Sequence, residues 1–215
     1  MSSLKVKVCG MRDAQNINEV AALQPDYMGF IFYEKSPRYA LRNPDFSHSM
    51  LNFSFSAVEK VAVFVNESEE KMREIANKYG ITTLQLHGNE TPAQCSILRK
   101  DFTVIKAFSI SEAQDFEAAQ PYSGCCDFFL FDTKTQQHGG SGAKFDWLLL
   151  ENYRGTTPFF LSGGIDLSDA VAIAQLAHPQ LWAVDINSRF ELTAGAKNVE
   201  KVKQFIEKLN YHEQN

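Results

Sequence analysis

Eight short apolar runs, a helical or polar stretch after each, and no hairpin signal predict a closed barrel of eight parallel strands, a (β/α)8 fold. The runs are Val6 to Cys9, Tyr27 to Phe32, Val61 to Val65, Thr83 to Leu86, Val104 to Phe108, Phe128 to Phe131, Phe159 to Leu161 and Trp182 to Val184. Apolar residues recur at helical spacing over Glu69 to Tyr79 behind Ser68, over Asp169 to Leu176 behind Ser168, and over Val199 to Leu209. The stretch from Leu41 to Ser56 is a poor helix, because its phenylalanines and serines suit a short helix and an irregular loop equally. An open dinucleotide-binding sheet would want GxGxxG after the first strand and a P-loop GxxxxGK[ST], and the chain has CGMRD there instead. With 215 residues and no low-complexity tract or linker, one barrel domain over residues 1–215 is expected.

Composition narrows the function. Apolar residues make up 44% and charged residues 22%, ordinary globular usage. A net charge of −5 offers no basic surface for a phosphodiester backbone, so no nucleic-acid partner is expected. The N-terminus enters a strand-like run without a signal-peptide core, and no apolar stretch reaches membrane-spanning length. A cytoplasmic protein with no membrane partner, a monomer or a homodimer, follows as the expectation. Cys9, Cys95, Cys125 and Cys126 show neither CxxC spacing nor a secretory context, so free thiols are predicted. The five histidines have no helical ligand spacing, and no metal is implied.

In such barrels the reactive groups stand at the C-terminal ends of the strands. Residues 127 to 142, DFFLFDTKTQQHGGSG, carry the strongest signal: an apolar run ends in Asp132, and Gly140, Ser141 and Gly142 follow, where backbone N–H groups can meet an anion. A carboxylate after Phe128, Phe129, Leu130 and Phe131 does no core work, so Asp132 is expected at the strand's mouth. Its sharp reading is a general acid whose pKa those phenylalanines raise by desolvation, and its plain reading is a helix cap. Cys9 reads either as a small buried hydrophobe or as a pocket thiol able to take a proton from carbon if its pKa falls. Arg38, behind Ser36-Pro37, is a candidate clamp for a substrate carboxylate. Gly163 and Gly164, followed by Ile165-Asp166, read plainly as a turn and helix cap, but with Asn187, Ser188 and the first glycine loop they suggest a phosphate cradle, the common use of loops seven and eight. His87 lines the pocket or satisfies a turn, and Asp185 meets a substrate hydroxyl or holds loop eight. A small phosphorylated substrate is the expected partner.

The segments KVCGMR, GFIFYEKSPRYA, VAVFVN, LQLHGNE, FDTKTQQHGGSGAKFDW, LSGGI and AVDINSRFE, in this order from Lys5 to about Phe205, resemble the phosphoribosylanthranilate isomerase family of tryptophan biosynthesis. The resemblance implies a cofactor-free (β/α)8 enzyme that converts an N-(5′-phosphoribosyl) amine to a 1-amino-1-deoxyribulose 5-phosphate by an Amadori rearrangement. It makes Cys9 the general base, Asp132 the general acid, Arg38 the holder of the anthranilate carboxylate and the glycine loops the phosphate seat. Arg189 stands where a small residue is frequent in the family, and Asn198 where aspartate is frequent, a change that a helix cap tolerates. Two rivals have distinct requirements. The related histidine-pathway isomerase resembles a barrel with aspartate where this chain has Cys9, and a non-catalytic phosphate binder needs neither Cys9 nor Asp132.

Overall fold

A computed structural model describes residues 4–133 and 147–213. The strands are β1 (Lys5–Cys9), β2 (Tyr27–Ile31), β3 (Glu59–Phe64), β4 (Thr83–Leu86), β5 (Thr103–Ile110), β6 (Phe128–Thr133), β7 (Phe159–Leu161) and β8 (Leu181–Ile186). Each pairs in parallel with the next, and β8 returns to β1 with Lys7 opposite Asp185, which closes the barrel. The fold class and all eight strand positions agree with the sequence pattern.

Closure divides the strand side chains into two sets, because neighbours along a strand face opposite ways. Val6, Val8, Phe64, Leu84, Leu86, Phe129, Phe131, Phe159, Val184 and Ile186 join the large core between sheet and helices. Cys9, Tyr27, Val61, Val63, Ile105, Ala107, Leu130, Phe160 and Ala183 form a second, inner cluster. At its N-terminal end Tyr27 and Phe128 each meet Phe160 edge-on, with centroids 5.2 and 5.5 Å apart, so aromatic rings fill the barrel floor.

Local sequence explains the outer elements. Helix α1 (Ala14–Ala21) starts where Asp13 accepts from Asn16 N. Between β2 and β3 the weak segment resolves into a 3-10 turn (Ala40–Arg42) and α2 (Phe46–Leu51), which buries Phe46 and Met50. Helix α3 (Glu69–Tyr79) has the expected bounds: Ser68 accepts from Lys71 N, and Gly80 ends it at φ 59°. Thr91 and Gln94 form a capping box for α4 (Pro92–Leu98). Two slots hold 3-10 turns instead of α-helices, Ala113–Tyr122 and Trp147–Asn152. The segment after β7 differs from expectation. Its cap is Asp166, not Ser168: Asp166 Oδ1 accepts from Leu167 N at 2.6 Å, Asp169 Oδ2 accepts from Asp166 N at 2.9 Å, and a 3-10 turn (Leu167–Asp169) leads into a short α5 (Ala170–Ala174). Two residues therefore satisfy each other's backbone where a single serine was expected. Asn198 caps α6 (Val199–Glu213) by accepting from Lys201 N at 3.0 Å. Among the described residues no helix is long and apolar enough to cross a membrane.

The loop after β8 contains a small antiparallel pair, β9 (Glu191–Thr193) and β10 (Ala196–Lys197). Gly195 turns between them at φ 90°, and Arg12 packs where a side chain would stand. Arg12 also donates to Ala194 O at 2.9 Å and to Pro37 O at 2.8 Å, so one residue after β1 joins the loops after β2 and β8.

Asp185 lies inside the barrel and meets a residue that the sequence did not single out. Lys7 and Asp185 share the inward parity of Cys9 and Ala183, and Lys7 Nζ lies 2.9 Å from Asp185 Oδ1 with both side chains buried. A carboxylate inside a closed sheet must be paired, and the nearest inward position across the register is a lysine. Replacing Asp185 with Leu leaves the Lys7 charge stranded and is expected to cost about 3 to 5 kcal/mol, whereas Lys7→Met with Asp185→Leu recovers most of it. Urea midpoints of the three proteins check this; equal loss in the single and double variants contradicts it.

Candidate active site

The C-terminal ends of the strands bring together Cys9, the Ser36-Pro37-Arg38 turn, His87, Asp132, Ser162-Gly163-Gly164 and Asn187-Ser188. Gly140, Ser141 and Gly142 lie outside the described residues.

Cys9 ends β1 on the inner face, 3% exposed. Gly29 on β2 sits so close that a Cβ there would lie 2.7 Å from the sulfur. Burial pushes the thiol above its ordinary value, against the pull of Lys7 and Lys197 and with the help of Asp185. The fall in pKa considered from sequence is therefore reversed, because the strand end that aims the thiol inward also removes its water. The same environment acts on its neighbours. Burial opposes the Lys7 charge, but Asp185 and Cys9 beside it hold its pKa above the usual lysine value.

Asp132 projects from β6 with Leu130's inward parity and is partly exposed. Phe129 and Phe131 face the other way, where Phe131 packs on Phe116, Tyr153 and Phe159. The rings next to Asp132 in sequence point toward the helices, because side chains alternate along the strand. Its neighbour across the mouth is His87, with Nε2 3.9 Å from Asp132 Oδ2. His87 is held from below by Gln85, whose Nε2 is 2.9 Å from His87 Nδ1, and by its own N–H, which donates to Phe64 O at 2.8 Å.

The loop carrying His87 is braced from behind. Glu90, 2% exposed, accepts from Asn66 N at 2.8 Å and from Gly88 N at 3.0 Å, and lies 3.2 Å from Lys106 Nζ. Lys106 in turn donates to Gly88 O at 2.7 Å.

Arg38 grips a carboxylate of the protein itself. Its Nε donates to Glu191 Oε1 at 2.8 Å and its Nη2 to Glu191 Oε2 at 2.6 Å, a bidentate pair. Nη1 makes no hydrogen bond among the described residues. Lys197 Nζ completes the cluster with Glu191 Oε1 at 2.7 Å and Asn187 Oδ1 at 2.8 Å. Burial opposes the Glu191 charge, yet Arg38 and Lys197 hold its carboxyl below the usual range. Burial also brings Lys197 down to about 8, although Glu191 works the other way. Sequence reasoning missed Lys7, Lys197, Glu191 and Gln85. Lys7 was findable, being an odd charge two residues before Cys9 in a strand of period two, and Gln85 likewise two before His87. Lys197 and Glu191 had no periodic signal, because β9 and β10 are too short to show one.

On the far side of the mouth Gly163 and Gly164 adopt φ 100° and 64°, a backbone that side chains rarely follow. Asn187 and Ser188 open the 3-10 turn Ser188–Phe190, whose Arg189 is exposed. That side chain is near enough to Asp166 to help lower its pKa, after burial, which raises it, and Lys201, which lowers it.

Comparison with known proteins agrees with this geometry. The family model described as N-(5′phosphoribosyl)anthranilate (PRA) isomerase matches residues 6–208. A curated N-(5′-phosphoribosyl)anthranilate isomerase of Parabacteroides distasonis is 47% identical over 95% of this chain and 92% of its own length. The crystal structure of phosphoribosyl anthranilate isomerase from Thermotoga maritima superposes with a TM-score of 0.84 at 32% identity, covering 97% of this chain and 99% of that one. Another crystal structure of the isomerase, in complex with reduced 1-(o-carboxyphenylamino)-1-deoxyribulose 5-phosphate, gives a TM-score of 0.80 at 30% identity with the same coverage. With the whole barrel matched and the relatives sharing one name, the chain belongs to the N-(5′-phosphoribosyl)anthranilate isomerase family.

Proposed function

We propose that this chain isomerises N-(5′-phosphoribosyl)anthranilate to 1-(2-carboxyphenylamino)-1-deoxyribulose 5-phosphate, the Amadori step of tryptophan biosynthesis, within a single barrel. The observation that carries the mechanism is the inward parity of Cys9 and Asp132 at the same end of a closed sheet, on strands three steps apart around it. In the reaction Asp132 gives its proton to the ribose ring oxygen. The C1′–O4′ bond breaks toward oxygen, and the nitrogen lone pair forms the iminium. That positive charge acidifies the C2′ hydrogen, which Cys9 as thiolate removes, leaving the C–H electron pair in an enolamine. Tautomerisation of the enolamine yields the ketone.

Both charged ends of the substrate have a seat. Arg38 offers Nη1 to the anthranilate carboxylate while Glu191 holds its other edge, so the guanidinium is oriented before the substrate arrives. Gly163 and Gly164, with Gly140 to Gly142 and Asn187 and Ser188, make the phosphate seat. His87 borders the acid, and Asp185 acts on the site through Lys7. Fixing the two ends places C1′ and C2′ between acid and base, a form of positioning that lowers barriers by up to about 7 to 11 kcal/mol in favourable cases.

The raised thiol has a kinetic consequence. Burial favours the protonated thiol of Cys9 in the free enzyme, so substrate binding must bring the thiolate forward. Lys7 and Lys197 are the cations available for that.

Purified protein is expected to consume the fluorescence of freshly made phosphoribosylanthranilate, and a trace no faster than buffer at high enzyme concentration rejects the assignment. Cys9→Ala and Asp132→Asn should each lose at least about a hundredfold in kcat while still binding the reduced product analogue; full turnover in either variant removes that residue from the mechanism. Alkylation by iodoacetamide, followed residue by residue by mass spectrometry, should be slower at Cys9 than in free cysteine at pH 7 and should rise with pH beyond 9. A fast reaction at neutral pH contradicts the raised thiol.

A further inference from the structure

Gln85 is poorly explained by the fold alone. It occupies an inward position of β4, in register with Val63 on one side and Ile105 on the other, both members of the inner apolar cluster. Its side chain is 1% exposed, and Oε1 is buried with no hydrogen-bond partner among the described residues. An unpaired amide oxygen in an apolar barrel costs stability that a methionine there would not. Among the described residues the one polar contact of Gln85 is Nε2 to His87 Nδ1, at 2.9 Å.

A histidine nitrogen that accepts a hydrogen bond carries no proton, so its ring holds the hydrogen on the opposite nitrogen. Here that opposite nitrogen is Nε2, which faces Asp132 Oδ2 across 3.9 Å. Such a separation in a ligand-free chain closes readily when substrate fills the mouth.

We propose that Gln85 is a positioning residue that fixes His87 as the neutral Nε2–H tautomer, so that His87 donates a hydrogen bond to the Asp132 carboxylate formed on proton transfer. This rests on the reading of Asp132 as the proton donor. No proton leaves His87 in this scheme: Asp132 loses its proton to the ring oxygen, and the Nε2–H group stabilises the carboxylate left behind. A glutamine suits the task better than a carboxylate. An acid at 85 would draw a hydrogen onto Nδ1 and favour the imidazolium, whose charge would hold Asp132 ionised before it could act.

The test has two arms. In the first, long-range proton–nitrogen NMR of nitrogen-15-labelled enzyme, with His87 assigned through its loss in His87→Gln, reports the tautomer without reference to turnover. The expected pattern is a protonated Nε2 and a bare Nδ1, giving way to mixed tautomers in Gln85→Met and to a protonated Nδ1 in Gln85→Glu. A protonated Nδ1 in the wild-type enzyme, or a tautomer unchanged by both variants, overturns the proposal. In the second arm Gln85→Met should lower kcat by about tenfold with KM within a factor of two, and should add nothing to His87→Gln in the double variant. Fully additive losses indicate a packing role and also overturn it. If the wild-type enzyme shows no isomerase turnover, the reaction assignment fails while the nitrogen spectra still decide what Gln85 does to His87.

Discussion

A closed sheet has only one inside, and every second residue of each strand must occupy it. That constraint puts Lys7, Cys9, Gln85, Leu130, Asp132 and Asp185 on the interior side and sends the phenylalanines of β6 outward to the helices. The polar members of this set cannot be solvated in the ordinary way. Lys7 and Asp185 answer burial by pairing with each other across adjacent strands. Asp132 answers it by standing at the last turn of the mouth, where water still reaches it. At Cys9 burial outweighs the pull of Lys7 and Lys197, and its raised thiol is the result.

A second shell of charge lies just above, where Arg38, Glu191, Lys197 and Asn187 join the loops after β2 and β8. Its two cations and one carboxylate leave positive charge beside the mouth, and the buried Glu191 holds that charge in place. Lys7 and Lys197 both oppose the effect of burial on the thiol, so the environment that raises Cys9 also holds the cations that favour its ionised form.

Much of this was legible in the chain itself. Periodicity located every strand and the α3 helix, because a parallel barrel repeats one unit and each unit carries its own signal. Strand-end position singled out Cys9, Arg38, His87 and Asp132. What stayed hidden depended on contacts between segments distant in sequence. Nothing near Glu191 announces a partner 153 residues away, and nothing near Asp185 announces Lys7, 178 residues away. The pKa of Cys9 was not legible for a related reason: adjacency in sequence says which way a side chain points, while desolvation depends on everything else that points there. The cap at Asp166 was legible as one reading of the Gly163-Gly164 turn, but its pairing with Asp169 was not.

Gly10 follows Cys9 at φ 80°, and a Cβ there would lie 2.7 Å from both Arg38 Cδ and Asn187 Oδ1. Three loops from β1, β2 and β8 thus converge on a position that tolerates no side chain. Transplanting one of them from a different barrel, as a protein engineer seeking new specificity would try, leaves the other two shaped for an absent counterpart. The trio is the smallest unit that can be exchanged, and a grafting experiment on this scaffold has to move all three together.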